Sequence, residues 1–368
     1  MTQTRVSVQV QDVRTISRGR QQYIGWPTLG RLRDGRLLAV CSGGREHHVC
    51  PFGQVQMLES RDEGETWSWA RTLVDGQLDD RDAGILQTPA GTLLVNWFTS
   101  TAWEHLLRDV PEAFAKRPAD EQAEWKRRLV PVTPEVRRRE LGCWVIRSTD
   151  GGVTWSGKID TIANSPHGPC LLRDGRILYV GRRRFIDEIK PYGGPFCEQI
   201  GASVSDDDGL SWRWVGNIHA MPGHSVHQYH EAHAVQAADG RVIAHLRNHN
   251  EPHKFHMLQT ESSDGGVTWS EPRSLGFYGF PPHLLRLEDG RLMTTFGRRQ
   301  DPKGNQISIS EDHGRTWSEP VSVNVDSQGD LGYPSTVQLG GNRFATLWYD
   351  TPAGATQTVL RLARWTLG

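Results

Sequence analysis

Six short stretches hold most of the side chains able to bind or transform a polar ligand: GWP at 25–27, RDA at 81–83, PHGP at 166–169, YHEAH at 229–233, PPH at 281–283 and GYP at 332–334. Four more follow at a strand's remove: SGGREHH at 42–48, GRRR at 181–184, LRNHN at 246–250 and GRRQ at 297–300. Together they gather Arg45, Arg182, Arg183, Arg247, Arg298 and Arg299 with Asp82, Glu231, Tyr333, Trp26, His167 and His283. A guanidinium presents paired donors in a fixed fork, so several of them at strand mouths suit a ligand bearing a carboxylate or many hydroxyls. Structural ion pairs account for the rest. Glu46, His47 and His48 are the groups able to donate a proton near neutral pH, Glu46 once burial raises its pKa. The histidines at 167, 230, 233 and 283 choose between ligand hydroxyls and a metal. Helical or short-loop ligand spacing is absent, so hydroxyls are expected, and neither a metal nor another cofactor is. Side chains alternate along a strand, so His230 and Glu231 reach one pocket only if the strand bulges.

Such residues converge only if an architecture brings strand ends to one point. A turn-then-strand signal recurs as RDGRLLAV (33–40), PAGTLLVNW (89–97), RDGRILYV (173–180), ADGRVIAHL (238–246), EDGRLMTTF (288–296) and GGNRFATLWY (340–349). Asp-Gly followed by aliphatic and β-branched residues is a hairpin turn feeding a strand. Interleaved with it is SRDEGETWS at 60–68, echoed at 148–156, 205–212, 262–270 and 310–318. Its Gly permits positive φ, its Asp and hydroxyl residues satisfy loop N–H groups, and its Trp covers the end of the sheet. Asp62, Asp150, Asp207, Asp264 and Asp312 therefore read as structural. Six turns over 368 residues allot about 60 residues to each repeat, the size of a four-stranded propeller blade. The expected fold is all-β, a six-bladed propeller spanning 1–368 as one domain, with VSVQVQDVRTIS (6–17) supplying the last strand and closing the ring. Residues 101–140, rich in Ala, Glu, Leu, Lys and Arg, read as a helical insertion between the second and third strands of the second blade. It serves as a lid on the pocket rim, or as an exposed decoration or oligomer contact.

A hydrophobic content of 36% and a formal net charge of −1 describe a globular chain with ample core material. Without a basic excess, no nucleic acid partner is expected. No apolar run resembles a signal peptide or crosses a bilayer, so no membrane partner and a cytoplasmic location are expected. Cysteines at 41, 50, 143, 170 and 197 do not make a disulfide framework and are expected as free thiols, although Cys41 and Cys50 could bridge. Nothing in the sequence sets an oligomeric state.

The five-fold Asp unit is the Asp box of BNR-repeat proteins, and the whole chain resembles the sialidase (neuraminidase) superfamily of six-bladed propellers. The resemblance implies a tyrosine nucleophile activated by a glutamate, an aspartate general acid and three arginines gripping a carboxylate. YHEAHAVQAADGRVIAHLR resembles the segment carrying the glutamate and one arginine, which falls on Glu231 and Arg247. LGYPSTVQL resembles the tyrosine segment and points to Tyr333. Three motifs depart. Gly25-Trp26-Pro27 replaces Arg-Ile-Pro, so the first arginine is gone. The acid's loop reads GGREHHVCPFG, leaving Glu46, His47 and His48 but no aspartate. The third arginine's place holds Lys303 and Asn305, with Arg298 in the adjacent strand. The expected partner is a carbohydrate, and the expected function is a sialidase-like exo-glycosidase on an acidic sugar, divergent from true sialidases. Two alternatives stand beside it: β-elimination from a uronate by Tyr and His, and a non-catalytic glycan-binding propeller with Trp26 and Trp97 as platforms.

Overall fold

Each Asp-Gly turn joins the innermost strand of a four-stranded antiparallel sheet to the second. In the computed structural model, which describes residues 6–18, 23–184 and 196–368, six such sheets follow one another. The chain opens on β1 (Val8–Thr15). The first blade is β2 (Tyr23–Arg31), β3 (Leu37–Arg45), β4 (Gln54–Ser60) and β5 (Arg71–Val74). The second is β6 (Asp79–Gln87), β7 (Leu93–Ser100), β8 (Cys143–Ser148) and β9 (Ile159–Asp160). In the third, a divided innermost strand, β10 (Ala163–Asn164) and β11 (Cys170–Leu171), pairs with β12 (Ile177–Arg184), followed by β13 (Phe196–Ser205) and β14 (Arg213–Asn217). The fourth is β15 (Tyr229–Gln236), β16 (Val242–Asn248), β17 (His256–Ser262) and β18 (Arg273–Tyr278). The fifth is β19 (Pro282–Arg286), β20 (Leu292–Arg298), β21 (Gly304–Ser310) and β22 (Val321–Asn324).

The sixth blade closes the ring as the sequence predicts. β23 (Gln328–Gly340), β24 (Arg343–Thr351) and β25 (Val359–Leu367) take β1 as their outermost strand, from Val8 opposite Leu367 to Thr15 opposite Arg361. The missing sixth Asp box follows directly. Each box is the hairpin between a blade's third and fourth strands, and here those strands come from opposite ends of the chain.

Blades pack through both faces, which explains why the second strands read as continuous apolar runs. Along β3, Leu37, Ala39 and Cys41 join a core with Leu347 and Leu362 of the sixth blade, while Leu38 and Val40 meet Ile85, Leu93 and Val95 of the second. Cys41, Cys50 and Cys143 are buried free thiols and Cys170 is partly buried and free; the side chain of Cys197 lies outside the described residues. Among the described residues no helix is long and apolar enough to cross a membrane.

The boxes do what their composition requires. In the fourth blade Asp264 Oδ1 accepts from Ser262 Oγ at 2.8 Å and from the Thr268 amide at 2.9 Å, and Oδ2 accepts from Thr268 Oγ1 at 2.6 Å. Burial works to raise this carboxyl, but the bonds from Thr268 and Ser262 outweigh it and hold the pKa at about 2. Because the folded value lies below the unfolded one, the contribution is present above pH ~4 and is lost as pH falls toward 2. Asp264→Ala is expected to destabilise by about 1–2 kcal/mol through lost hydrogen bonds, lowering Tm by ~2–4 °C at neutral pH and by progressively less in acid. Scanning calorimetry across pH checks both.

Four helices leave the second blade between β7 and β8: α1 (Trp103–Arg108), α2 (Pro111–Ala115), α3 (Ala119–Leu129) and α4 (Pro134–Glu140). Trp103, Phe114 and Trp125 form a small core of their own with Cys50, against which Val49 and Phe52 pack. The insertion is thus docked on the loop after β3 and is not a free decoration.

Candidate active site

Four of the six innermost strands share one irregularity. Pairing skips two residues between Gly25 and Thr28, between Arg81 and Gly84, between Tyr229 and Ala232, and between Gly332 and Ser335. The skipped pairs are Trp26-Pro27, Asp82-Ala83, His230-Glu231 and Tyr333-Pro334. Trp26, Asp82 and Tyr333 have φ of 52°, 54° and 54°, and His167, in the gap between β10 and β11, has 72°. Left-handed backbone costs a bulky residue of order 1 kcal/mol or more, and such strain collects at functional sites. These bulges re-aim side chains toward the channel mouth, and in the fourth blade they let His230 and Glu231 line the same pocket.

At the centre, Tyr333 Oη donates to Glu231 Oε1 at 2.6 Å. Arg247 Nη1 donates to both Glu231 oxygens, at 3.0 and 2.9 Å, and its Nε to His249 Nε2 at 2.8 Å. Burial opposes ionisation of Glu231, but Arg247, His230 and the Tyr333 hydroxyl outweigh it and keep the carboxyl at about 2. The phenol moves the other way: burial, then the charges of Glu231 and Asp82, push Tyr333 well above its ordinary value. The resting pair is therefore a neutral phenol on a carboxylate.

Asp82 and Glu231 line a cavity of about 240 Å³, walled also by Arg81, Arg182, His230 and, at the foot of the insertion, Ala102. Asp82 Oδ1 has no hydrogen-bond partner among the described residues. Burial raises its pKa to about 7, with Arg81 opposing and Glu231 reinforcing. Asp80, two residues away, is raised to about 7 as well, by burial, yet it accepts from Trp97 Nε1 at 2.7 Å and from the Gly76 amide at 2.8 Å. Asp80 thus has a partner on each oxygen, whereas Asp82 Oδ1 has none among the described residues.

Near Tyr333 a second cluster forms, in which Asp330 gathers His48 Nδ1 at 2.6 Å, Tyr349 Oη at 3.1 Å and the Tyr23 hydroxyl, with the Tyr349 ring centroid 6.0 Å from that of Tyr333. Burial would raise Asp330, but the His48 and Tyr23 contacts and Arg299 bring it to about 2. The guanidinium carbons of Arg247 and Arg299 lie 4.3 and 5.0 Å from the Phe280 ring centroid, and Arg299 Nη1 is 4.0 Å from Asp330.

Several sequence-predicted residues lie elsewhere. Arg45 is sealed off, paired with Asp79 with no side-chain exposure on either partner. Trp26 is 1% exposed, clasped between Arg45 and Arg81 at 4.8 and 4.4 Å, and Trp97 is 2% exposed. Neither offers an open face, so the expected aromatic platforms are absent. Arg183 turns outward to Gln199 and the Trp214 ring, and its neighbour Arg182 lines the pocket. Arg298 reaches the carbonyl of Asp301 at the surface, and Arg299 takes the inward place. Glu46 accepts from Trp125 Nε1 at 2.8 Å and His47 Nε2 meets Glu121 Oε1 at 3.0 Å, tying the loop to the insertion. Glu46, His47 and Glu121 bring ligand atoms within 4.8 Å of one another, but Trp125 and Arg117 already occupy the carboxylates. His48 keeps its place by the pocket, its ring centroid 4.9 Å from that of Trp26, and burial lowers its pKa against the pull of Asp330. His167 and His283 face the propeller axis beneath Tyr333.

A model of the BNR repeat-like domain matches residues 128–345. The chain belongs to that family. This BNR-repeat propeller is a divergent member of the sialidase superfamily. A sialidase of Bacteroides fragilis is 22% identical across 91% of this chain and 61% of its own length, so the chain spans about three-fifths of that relative. Among solved structures, a Dyadobacter fermentans protein of unknown function superposes with a TM-score of 0.75 at 22% identity, covering 98% and 99% of the two chains. The Penicillium chrysogenum α-L-arabinanase complexed with arabinobiose superposes with a TM-score of 0.60 at 14% identity, covering 98% of each chain. At these identities the structural likenesses establish the fold.

Proposed function

We propose that the BNR-repeat propeller is an exo-acting glycoside hydrolase that retains anomeric configuration, with Tyr333 as nucleophile. The observation that carries this reading is the 2.6 Å hydrogen bond from Tyr333 to Glu231 near Asp82, whose Oδ1 has no partner among the described residues. Tyr333 Oη attacks the anomeric carbon and gives its proton to Glu231, while Asp82 protonates the departing oxygen as the glycosidic bond breaks. Water then attacks the glycosyl-tyrosine, Asp82 takes the water's proton, and the leaving tyrosinate recovers its own from Glu231. Glu231 is a weak base while Arg247 holds it. A substrate carboxylate that draws Arg247 toward itself frees the glutamate to accept a proton, coupling substrate binding to activation.

The same geometry supports an acidic sugar. Arg247 and Arg299 present guanidiniums over Phe280, and Arg182 adds a third positive group in the lining of the cavity beside Glu231. Arg299→Met is expected to raise KM for an acidic substrate by about 10–100-fold, while Arg298→Met leaves it within about twofold. Steady-state kinetics on acidic and neutral glycosides separate the two.

A second reading, β-elimination from a uronate, rests on His230, which burial lowers to about 4 and so keeps a neutral base beside Glu231. Incubation with acidic and neutral oligosaccharides in heavy-oxygen water distinguishes the two. Hydrolysis places one heavy oxygen in the product; an unsaturated product without it would replace the hydrolase reading with the lyase.

A further inference from the structure

Below Tyr333 the axis of the propeller holds three histidines that the proposed chemistry does not use. His167, His233 and His283 come from successive blades and are 2%, 7% and 6% exposed. Their ring centroids lie 4.7 Å apart for 233–283, 5.1 Å for 167–283 and 5.8 Å for 167–233. They stand at the inner end of a channel of about 530 Å³, which runs between the innermost strands toward the Asp-Gly turns, on the face opposite the pocket.

Neighbouring blades fix the tautomer of each ring. His233 Nδ1 accepts the Leu284 amide at 2.8 Å, and His283 Nδ1 accepts the Thr336 amide at 3.4 Å. A neutral imidazole that accepts at Nδ1 carries its proton on Nε2, so both of these channel-lining rings keep an N–H donor there. His167 is the reverse. Its Nδ1 lies 3.2 Å from Thr28 Oγ1, whose own proton goes to the carbonyl of Ala83 at 2.8 Å. Nδ1 of His167 must therefore donate to Thr28, which leaves Nε2 bare. That nitrogen is buried and has no partner among the described residues. Burial, and for His167 and His283 the neighbouring imidazoles, keep all three rings neutral.

We propose that His167, His233 and His283 form a hydroxyl site: two imidazole N–H groups donate to one oxygen, and that oxygen donates to the bare nitrogen of His167. Size and tautomer both argue against a metal. Three nitrogens at about 2.1 Å from a metal stand about 3.5 Å apart, whereas an oxygen hydrogen-bonded at about 2.9 Å spans nitrogens about 5 Å apart. Among the described residues the ligand atoms of the three histidines do not all lie within 4.8 Å of one another. Two of the three also carry a proton, not a lone pair, on Nε2. An anion would meet the lone pair of His167, so the site selects a group that accepts twice and donates once. Water and the hydroxyl of an uncharged saccharide both do so, and the channel is open to either.

Long-range proton–nitrogen correlation spectra of protein labelled with nitrogen-15 histidine test the tautomers. His233 and His283 are expected with the proton on Nε2 and His167 with it on Nδ1; three bare Nε2 atoms would overturn the proposal. Crystal structures at about 1.2 Å, with and without D-glucose soaked in, test the ligand. One oxygen within about 2.7–3.2 Å of all three Nε2 atoms supports the site. If it stays isolated in both crystals the source is water, and if glucose density joins it the source is a saccharide. A metal at about 2.1 Å with anomalous signal, or no ordered atom among the three rings, would refute it.

Discussion

Tyr333→Phe is expected to lower kcat by about 10³-fold or more with KM little changed, because the ring keeps its place while the attacking oxygen is lost. Tyr333 is 4% exposed and packs among Trp26, His167 and Tyr349 with centroids 6.0–6.4 Å away, so phenylalanine fills the same space. The loss reaches further than one hydroxyl. Removing the phenol also takes one of the two donors from Glu231 Oε1 and leaves Arg247 as the other, which raises the carboxyl from about 2 but gives it nothing to deprotonate. Glu231→Gln is therefore expected to resemble Tyr333→Phe, and the double variant to be barely worse than either, as for residues that act as a unit. Single-turnover kinetics on the three variants check this. Full turnover by Tyr333→Phe would remove the nucleophile assignment.

Asp82→Asn carries the second large effect. Removing a general acid costs about 10²–10⁴-fold, least for substrates whose leaving group needs no proton. The pH profile gives a sharper signature. With Asp82 titrating at about 7, wild-type kcat/KM falls as pH rises through neutrality and the acid form is lost. The variant loses that limb. Stability moves in a linked direction: a carboxyl whose folded pKa lies above its unfolded value binds more protons when folded, so stability declines as pH rises from ~4 to ~7. Asp82→Asn is expected to flatten that decline in part. Asp80, also raised to about 7, retains its own share. A variant with an intact basic limb would move the acid role elsewhere, and His48, beside Trp26, would be tested next.

The fold was legible because it is written six times. A turn and an Asp box that recur with a fixed partner strand identify a blade, and the one missing box marks the place where the two chain ends meet. Glu231, Arg247, Tyr333, Asp82 and His48 were legible as types at strand mouths. What could not be read was parity. Alternation along a strand fixes which neighbour faces inward only while pairing is regular. β12 shifts register between Arg182 and Arg184, and Arg299 lies one residue past the end of β20. In both cases the adjacent arginine took the inward place. Arg45 illustrates a different limit. An arginine in a string of polar residues reads as a ligand group, but Asp79, thirty-four positions on, claims it in a buried pair. Asp330 and Tyr23 were missed because each lies just outside the stretches read as strand mouths, and Tyr349 because it closes the repeat GGNRFATLWY and was read only as a strand residue. The nearest signal was Asp330 itself, three residues before Tyr333 in DLGY.

The most direct test of the proposed tyrosine nucleophile is the mass of the peptide carrying Tyr333, taken from protein quenched during incubation with an acidic oligosaccharide. A glycosyl adduct on Tyr333, formed by the wild type and by Asp82→Asn with an activated leaving group but absent from Tyr333→Phe, is the expected result. An adduct on a carboxylate such as Glu231, or an unmodified peptide accompanied by an unsaturated sugar, would contradict it.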